Sequence, residues 1–309
     1  MTIAERVLDI TDGSVEIHRD LNIRILPETP TIGATIEGIT GKEALSDAAI
    51  AVLKDALMRY KVLFFKGLNI TKEEHHKFTT QFGAPCANKT IFEKDYDEEG
   101  YANVTVVPHF HADLMYLKEG PSFSMLQMRE KPAVGGDTMW ADLVSSYQDL
   151  SPAMQEFLEG LTAINGRSTY YMSDDQLHEH HKKRYHEDLS IEQLRQLREF
   201  LAPNENPIVR VIPETGVKSY WISAEHTQRI KELSSEESKT LLDMLFRHQM
   251  QPKYIYRYKW NVGDIAFWDH RTTLHSGIAD FGSEKRLAQR QSVGENTPIS
   301  VAEWNATPH

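Results

Sequence analysis

Asn261-Val-Gly-Asp-Ile-Ala-Phe-Trp-Asp-His-Arg-Thr-Thr-Leu-His275 is the stretch on which the architecture turns. Gly263-Asp264 marks a tight turn, Ile265 to Trp268 is an apolar run of strand length, and a polar bend then leads to His275. Outward from it the same grammar repeats. Strand signals fall at Ile23–Ile25, Ala34–Ile39, Lys61–Lys66, Val104–Val107, Ser122–Arg129 and Thr138–Ala141. They return at Ile208–Ile212, Ser219–Ile222, Tyr254–Trp260 and Arg286–Val293. Helical spacing is confined to Ser46–Tyr60, Thr71–Phe82, Ser151–Leu161, Leu189–Phe200 and a helix from Ser234 or Ser235 to Met250. Many short strands with a few helices predict an antiparallel barrel or jelly roll decorated by helices.

Composition narrows the class. The chain has 309 residues, 40% hydrophobic and 26% charged, the profile of an ordinary globular protein. A net charge of -11 argues against nucleic acid or an anionic membrane as partner. Cys86 is the single cysteine, so no disulfide framework is possible. With no basic-then-apolar start and no run of ~20 apolar residues, a cytoplasmic location is expected. A homo-oligomer is left open.

Of 14 histidines, most fall in polar surroundings. His178, His180, His181 and His186 lie among Lys and Glu and are expected on a solvated face, as are His75 and His76. His111-Ala-Asp113 differs, because residues two apart on a strand project to one side. With His275 they complete the two-histidine, one-carboxylate set of non-haem Fe(II) oxygenases, which leaves positions open for small molecules. Arg286 and Arg290, four apart on a predicted strand, share a face, and a buried guanidinium requires an anion such as a carboxylate. Thr138, in Gly135-Gly-Asp-Thr138, offers a hydroxyl to the same carboxylate.

Together these residues resemble the taurine dioxygenase and 2,4-dichlorophenoxyacetate dioxygenase family of Fe(II)/2-oxoglutarate enzymes. The resemblance runs from Ile32 to Val293, through Val62-Leu-Phe-Phe-Lys-Gly67, Phe82-Gly83, His111-x-Asp113, Gly135-Gly-Asp-Thr138 and Pro207-x-Val-Arg210. It continues through Trp260-x-x-Gly-Asp264, Trp268-Asp-His-Arg-Thr-Thr-Leu-His275 and Arg286-x-x-x-Arg290. It implies an α+β fold with a double-stranded β-helix (jelly-roll) core and flanking α-helices, in a single dioxygenase domain over 1–309. Fe(II) held by His111, Asp113 and His275, 2-oxoglutarate and O2 are the implied cofactor and co-substrates. Thr138 and Arg286 would hold the distal carboxylate of 2-oxoglutarate. Arg290 would lie near its metal-bound end and meet an anionic group of the substrate. The presence of Asp113 points to oxygenation rather than halogenation.

The departures concern the small-molecule substrate. Ala84-Pro-Cys-Ala-Asn-Lys-Thr-Ile91 stands where taurine-oxidising relatives have a His and a Tyr, so taurine is not expected. Phe110 stands where Trp is common, and Ser223-Ala-Glu-His226 replaces an aromatic after a turn. Asn88, His109, Arg167 and His226 are the residues expected to line the substrate pocket. A polar loop at 84–103 and a charged insertion at 172–206 are expected to close over it. Desaturation, cyclisation or rearrangement of a natural product is the alternative outcome within the family. A non-catalytic protein binding a metal or 2-oxoglutarate is the alternative outside it.

Overall fold

The computed structural model describes residues 13–86, 101–104 and 106–308. Its framework is an eight-stranded sheet in the order Glu16–His18, Ile23–Pro27, Ala34–Glu37, Val62–Phe65, Ile265–Asp269, Gly120–Glu130, Leu287–Asn296, Tyr101–Val104. Neighbours are antiparallel except Ala34–Glu37 against Val62–Phe65. Three smaller sheets complete the β structure. The one that matters for the site places Thr138–Asp142 between Ile255–Tyr258 and Thr273–Gly277. The helices lie outside these strands, giving the mixed α+β content that the pattern predicts.

Val62-Leu-Phe-Phe65 is buried at every position because both faces of its strand are covered. Leu63 and Phe65 join Leu53, Leu57 and Tyr60 of the helix Asp47–Tyr60 in one core. Val62 and Phe64 face the other way, onto Trp140, Tyr258, Trp260 and Trp268. Ile265-Ala-Phe-Trp268 divides identically between the two cores, as the two-residue period requires. The second core binds the small sheet to the large one. In it Phe64 stacks on Tyr258 at 4.0 Å and meets Trp140 edge-on at 5.5 Å. Truncating an aromatic in such a layer typically costs ~3–5 kcal/mol.

Polar ties fix the frame. Ser46 caps the helix Asp47–Tyr60, which ends where Lys61 turns left-handed at φ 62. The buried Lys61 ammonium lies 3.1 Å from Asp142 and donates to the Thr31 carbonyl at 2.8 Å. Asp142 in turn caps the helix Leu143–Gln148. Capping boxes at Thr71/Glu74 and Ser234/Glu237 start the helices Lys72–Thr79 and Ser235–Gln249, at the residues the sequence marks.

Several expectations need correction. Glu16–His18, a stretch without strand periodicity in the sequence, forms an edge strand held by the Arg59 fork on the Glu16 carboxylate at 2.6 and 2.8 Å. His75 and His181 are buried, not solvated. The reason for His181 is that the insertion folds as two helices, Asp174–Tyr185 and Ile191–Leu201. Leu177 of the first and Leu197 and Leu201 of the second close a small core, with Leu194 and Phe200 packed against it. Among the described residues, no helix is long and apolar enough to cross a membrane.

Candidate active site

A single β-bridge makes the site. The His111 amide donates to the His275 carbonyl at 3.0 Å and the His275 amide to the His111 carbonyl at 2.8 Å. Both imidazoles are thereby placed on one side of the bridge, with ring centroids 4.3 Å apart. His111 is not on a continuous strand, as its spacing from Asp113 suggested. The chain breaks after the bridge, and Asp113 sits at the start of a turn in which Leu114 takes φ 54. That turn returns the carboxylate to the imidazoles. Asp113 Oδ1 lies 3.5 Å from His111 Nε2 and 3.9 Å from His275 Nε2.

The donor set fits a metal ion. One ligand atom from each of the three residues lies within 4.8 Å of the others, and all three residues are buried. Octahedral bonds of ~2.1 Å put adjacent ligands about 3 Å apart, so a small inward adjustment closes the set. The His109 carbonyl, 2.7 Å from His111 Nδ1, can only accept. Nδ1 therefore carries the proton, and the Nε2 lone pair faces the metal position. Burial, then the neighbouring His111, keeps the His275 imidazole neutral far below the usual histidine range. Burial alone would raise the Asp113 carboxyl, but Arg290 above all, then His275, holds it well below the usual carboxylate range.

Arg290 takes a position at the metal end. Its Nη1 lies 2.6 Å from Asp113 Oδ2, an ion pair rather than an aligned hydrogen bond. Arg286 lies elsewhere, donating to the Gly136 carbonyl at 2.8 Å and to Thr138 Oγ1 at 3.2 Å. Among the described residues no carboxylate pairs with it, and burial pushes its guanidinium down to about 10 despite the nearby Asp137. Trp260 Nε1 donates to the same Thr138 oxygen at 3.0 Å. Register relates this guanidinium and hydroxyl to the metal end. His275 pairs with Trp140 and Gly277 with Thr138, so Thr138 shares the His275 face two residues along the sheet. That offset is roughly 7 Å.

The expected pocket residues separate. His226 is buried, its ring 6.4 Å from that of His111 and 5.2 Å from that of Tyr116. The Arg167 guanidinium lies over the Tyr116 ring, 5.7 Å from its centroid. His109 presents its carbonyl to the site, while its exposed side chain lines a separate cavity of about 260 Å³ with Phe110, Phe246 and Leu274. Asn88 lies outside the described residues, as does most of the loop at 84–103. Sequence reasoning gives no reason to single out Tyr116 or His270. The latter's one signal is its place five residues before His275, on the stretch from Asn261 to His275.

Three buried imidazoles have an ordinary pKa of about 6.5 in the unfolded chain. Burial pushes His75 and His226 to about 3 and His270 to about 4. Below pH 6.5 the unfolded chain therefore binds protons that the folded one refuses, and stability falls as pH falls. The loss is complete once pH passes the folded values. Each group contributes a slope approaching ~1.4 kcal/mol per pH unit within that window. Urea midpoints of the metal-free protein should drop steadily from pH 6.5 to 5. A midpoint that stays constant over that range contradicts the burial of these rings.

Two imidazoles and a carboxylate on one side of a metal position, the other side left to small molecules, define a non-haem Fe(II) oxygenase. The chain belongs to the taurine catabolism dioxygenase TauD, TfdA family, whose model matches residues 24–291. It is 31% identical to an alkylsulfatase of Acinetobacter baylyi, over 87% of this chain and 84% of that protein. It is 27% identical to an alpha-ketoglutarate-dependent sulfate ester dioxygenase of Pseudomonas putida, over 91% of this chain and 92% of that one. The crystal structure of a taurine dioxygenase from Burkholderia xenovorans superposes with a TM-score of 0.76 at 26% identity, covering 91% of this chain and 92% of that chain.

Proposed function

We propose that the protein is an Fe(II)- and 2-oxoglutarate-dependent dioxygenase that hydroxylates a C–H bond of a small organic substrate, with succinate and CO2 as co-products. The observation that carries this reading is the placement of an anion seat, Arg286 with Thr138, on the same sheet face as the buried His111/Asp113/His275 set. A hydrolase would need the metal donors but not the second, carboxylate-sized cation. His111, Asp113 and His275 would hold the iron, and Arg286 and Thr138 the distal carboxylate of 2-oxoglutarate. Bound iron, with 2-oxoglutarate and O2, supplies the oxidising chemistry. The chain's part is to orient the reactants and keep water out, the latter through the wall of Trp140, Trp260 and Trp268.

The strand order supports a double-stranded β-helix core, flanked by helices, in one catalytic domain over 1–309. The insertion at 172–206 would cover the mouth of the site. In support, Asn204 donates to the Tyr116 carbonyl at 2.8 Å and Phe200 meets the Tyr116 ring at 6.2 Å. His226 and Arg167, both packed on Tyr116, would contact the substrate. The names of the two sulfate-ester relatives make an organic sulfate the first substrate to try. Hydroxylation at the carbon bearing the ester oxygen leaves an adduct that collapses to a carbonyl compound and free sulfate.

The test adds Fe(II), 2-oxoglutarate and air to the protein with a panel of alkyl sulfates, sulfonates and carboxylates. Succinate should form in step with substrate consumption, and inorganic sulfate should be released where an alkyl sulfate is used. Binding of 2-oxoglutarate with no succinate across the panel would favour the non-catalytic alternative. No binding of 2-oxoglutarate at all would remove the reading altogether.

A further inference from the structure

Resting on that reading, we propose that His270 is a positioning residue that clamps Asp113, backbone and side chain, so that only Oδ1 of its carboxylate is offered to the metal. His270 follows directly on the strand Ile265–Asp269 and is fully buried. The Asp113 amide donates to its Nδ1 at 3.4 Å. Because an amide can only donate, Nδ1 is the acceptor and Nε2 carries the ring proton. Nε2 lies 2.7 Å from Ser124 Oγ and 3.3 Å from Asp113 Oδ2. Ser124 Oγ lies a further 2.7 Å from Ser292 Oγ, which can receive the serine's own proton. The ring is therefore oriented at both nitrogens, and its backbone is fixed by donation to the Ser122 carbonyl at 3.0 Å.

The consequence falls on the carboxylate. Arg290 and His270 both approach Oδ2, while the two imidazoles of the metal set approach Oδ1. A carboxylate free to swing could chelate through both oxygens and take a position that small molecules require. Asp113 sits on a turn, not on a strand, so it needs such a hold from outside its own segment. Arg290 supplies charge from a long, flexible side chain. His270 supplies a rigid ring that grips the Asp113 backbone as well. Partners that orient metal ligands in this way typically change metal affinity by ~10–100-fold when removed.

Anaerobic titration with Co(II), whose visible bands report ligand number and symmetry, tests this on the full chain without catalysis. His270→Ala should weaken Co(II) binding by ~10–100-fold and change the intensity of the visible bands. His270→Asn, whose carboxamide oxygen can accept the Asp113 amide, should recover part of both. Wild-type affinity and spectrum in His270→Ala would overturn the proposal, even with a lowered Tm. Should His270→Ala fail to fold, Ser124→Ala removes the Nε2 partner and keeps the ring; it is expected to weaken Co(II) binding, and an unchanged affinity there overturns the proposal too. If the wild-type protein binds no Co(II), the oxygenase reading fails, and the proposal with it.

Discussion

Asp113→Ala should abolish turnover and sharply weaken Fe(II) binding while the chain still folds. The carboxylate is the only anionic donor in the set, and its loss leaves two neutral imidazoles to hold a divalent cation beside the Arg290 guanidinium. Breaking a buried ion pair by removing one partner costs ~3–5 kcal/mol, so a lowered Tm is expected as well. The site's backbone survives, because the bridge between His111 and His275 is made by amides and carbonyls. For the same reason His111→Ala and His275→Ala should lose metal and turnover with their strands intact. Titration with Fe(II) and succinate measurement check all three. An Asp113→Ala protein with wild-type turnover and iron affinity would remove the carboxylate from the metal set.

Arg286→Ala should raise the KM for 2-oxoglutarate strongly. The half-buried guanidinium is held by the Gly136 carbonyl and Thr138 Oγ1, with no carboxylate partner among the described residues. Its depressed pKa, near 10, is the mark of a cation whose burial is not offset by a paired anion. An incoming carboxylate would supply that anion, and deleting one partner of such a pair costs ~3–5 kcal/mol. Rescue by water or Thr138 reduces the loss, so a rise of roughly two orders of magnitude is expected. Arg286→Lys should recover charge but not the planar fork, and so only part of the affinity. Initial rates against 2-oxoglutarate concentration decide the matter, and an unchanged KM takes Arg286 out of the site.

The His111/Asp113/His275 set was legible because its chemistry is rare and its spacing is informative. His111, Asp113, His275, Thr138 and Arg286 are polar residues set in apolar, strand-forming contexts, where burial requires a reason. The period-two split of Val62–Phe65 and Ile265–Trp268 between two cores follows from alternation along single strands. Less was legible where a segment's own pattern is weak. Three leucines of the charged stretch at 172–206 become buried only when two helices meet. Glu16–His18 reads as irregular because an edge strand exposes much of its side-chain surface.

The sequence by itself determined the class of chemistry, the α+β character and the residues that carry charge into the interior, since these depend on residue type and on spacing within one segment. The tertiary structure alone decided which oxygen of Asp113 faces the imidazoles. It also paired Arg290 with that carboxylate, and brought His270, Ser124 and Ser292 into one chain of contacts. Ser124 and His270 are 146 positions apart, and Ser124 and Ser292 are 168 apart. Periodicity acts over a few residues. Contacts between segments so distant are set by how whole sheets pack, and no local pattern records that.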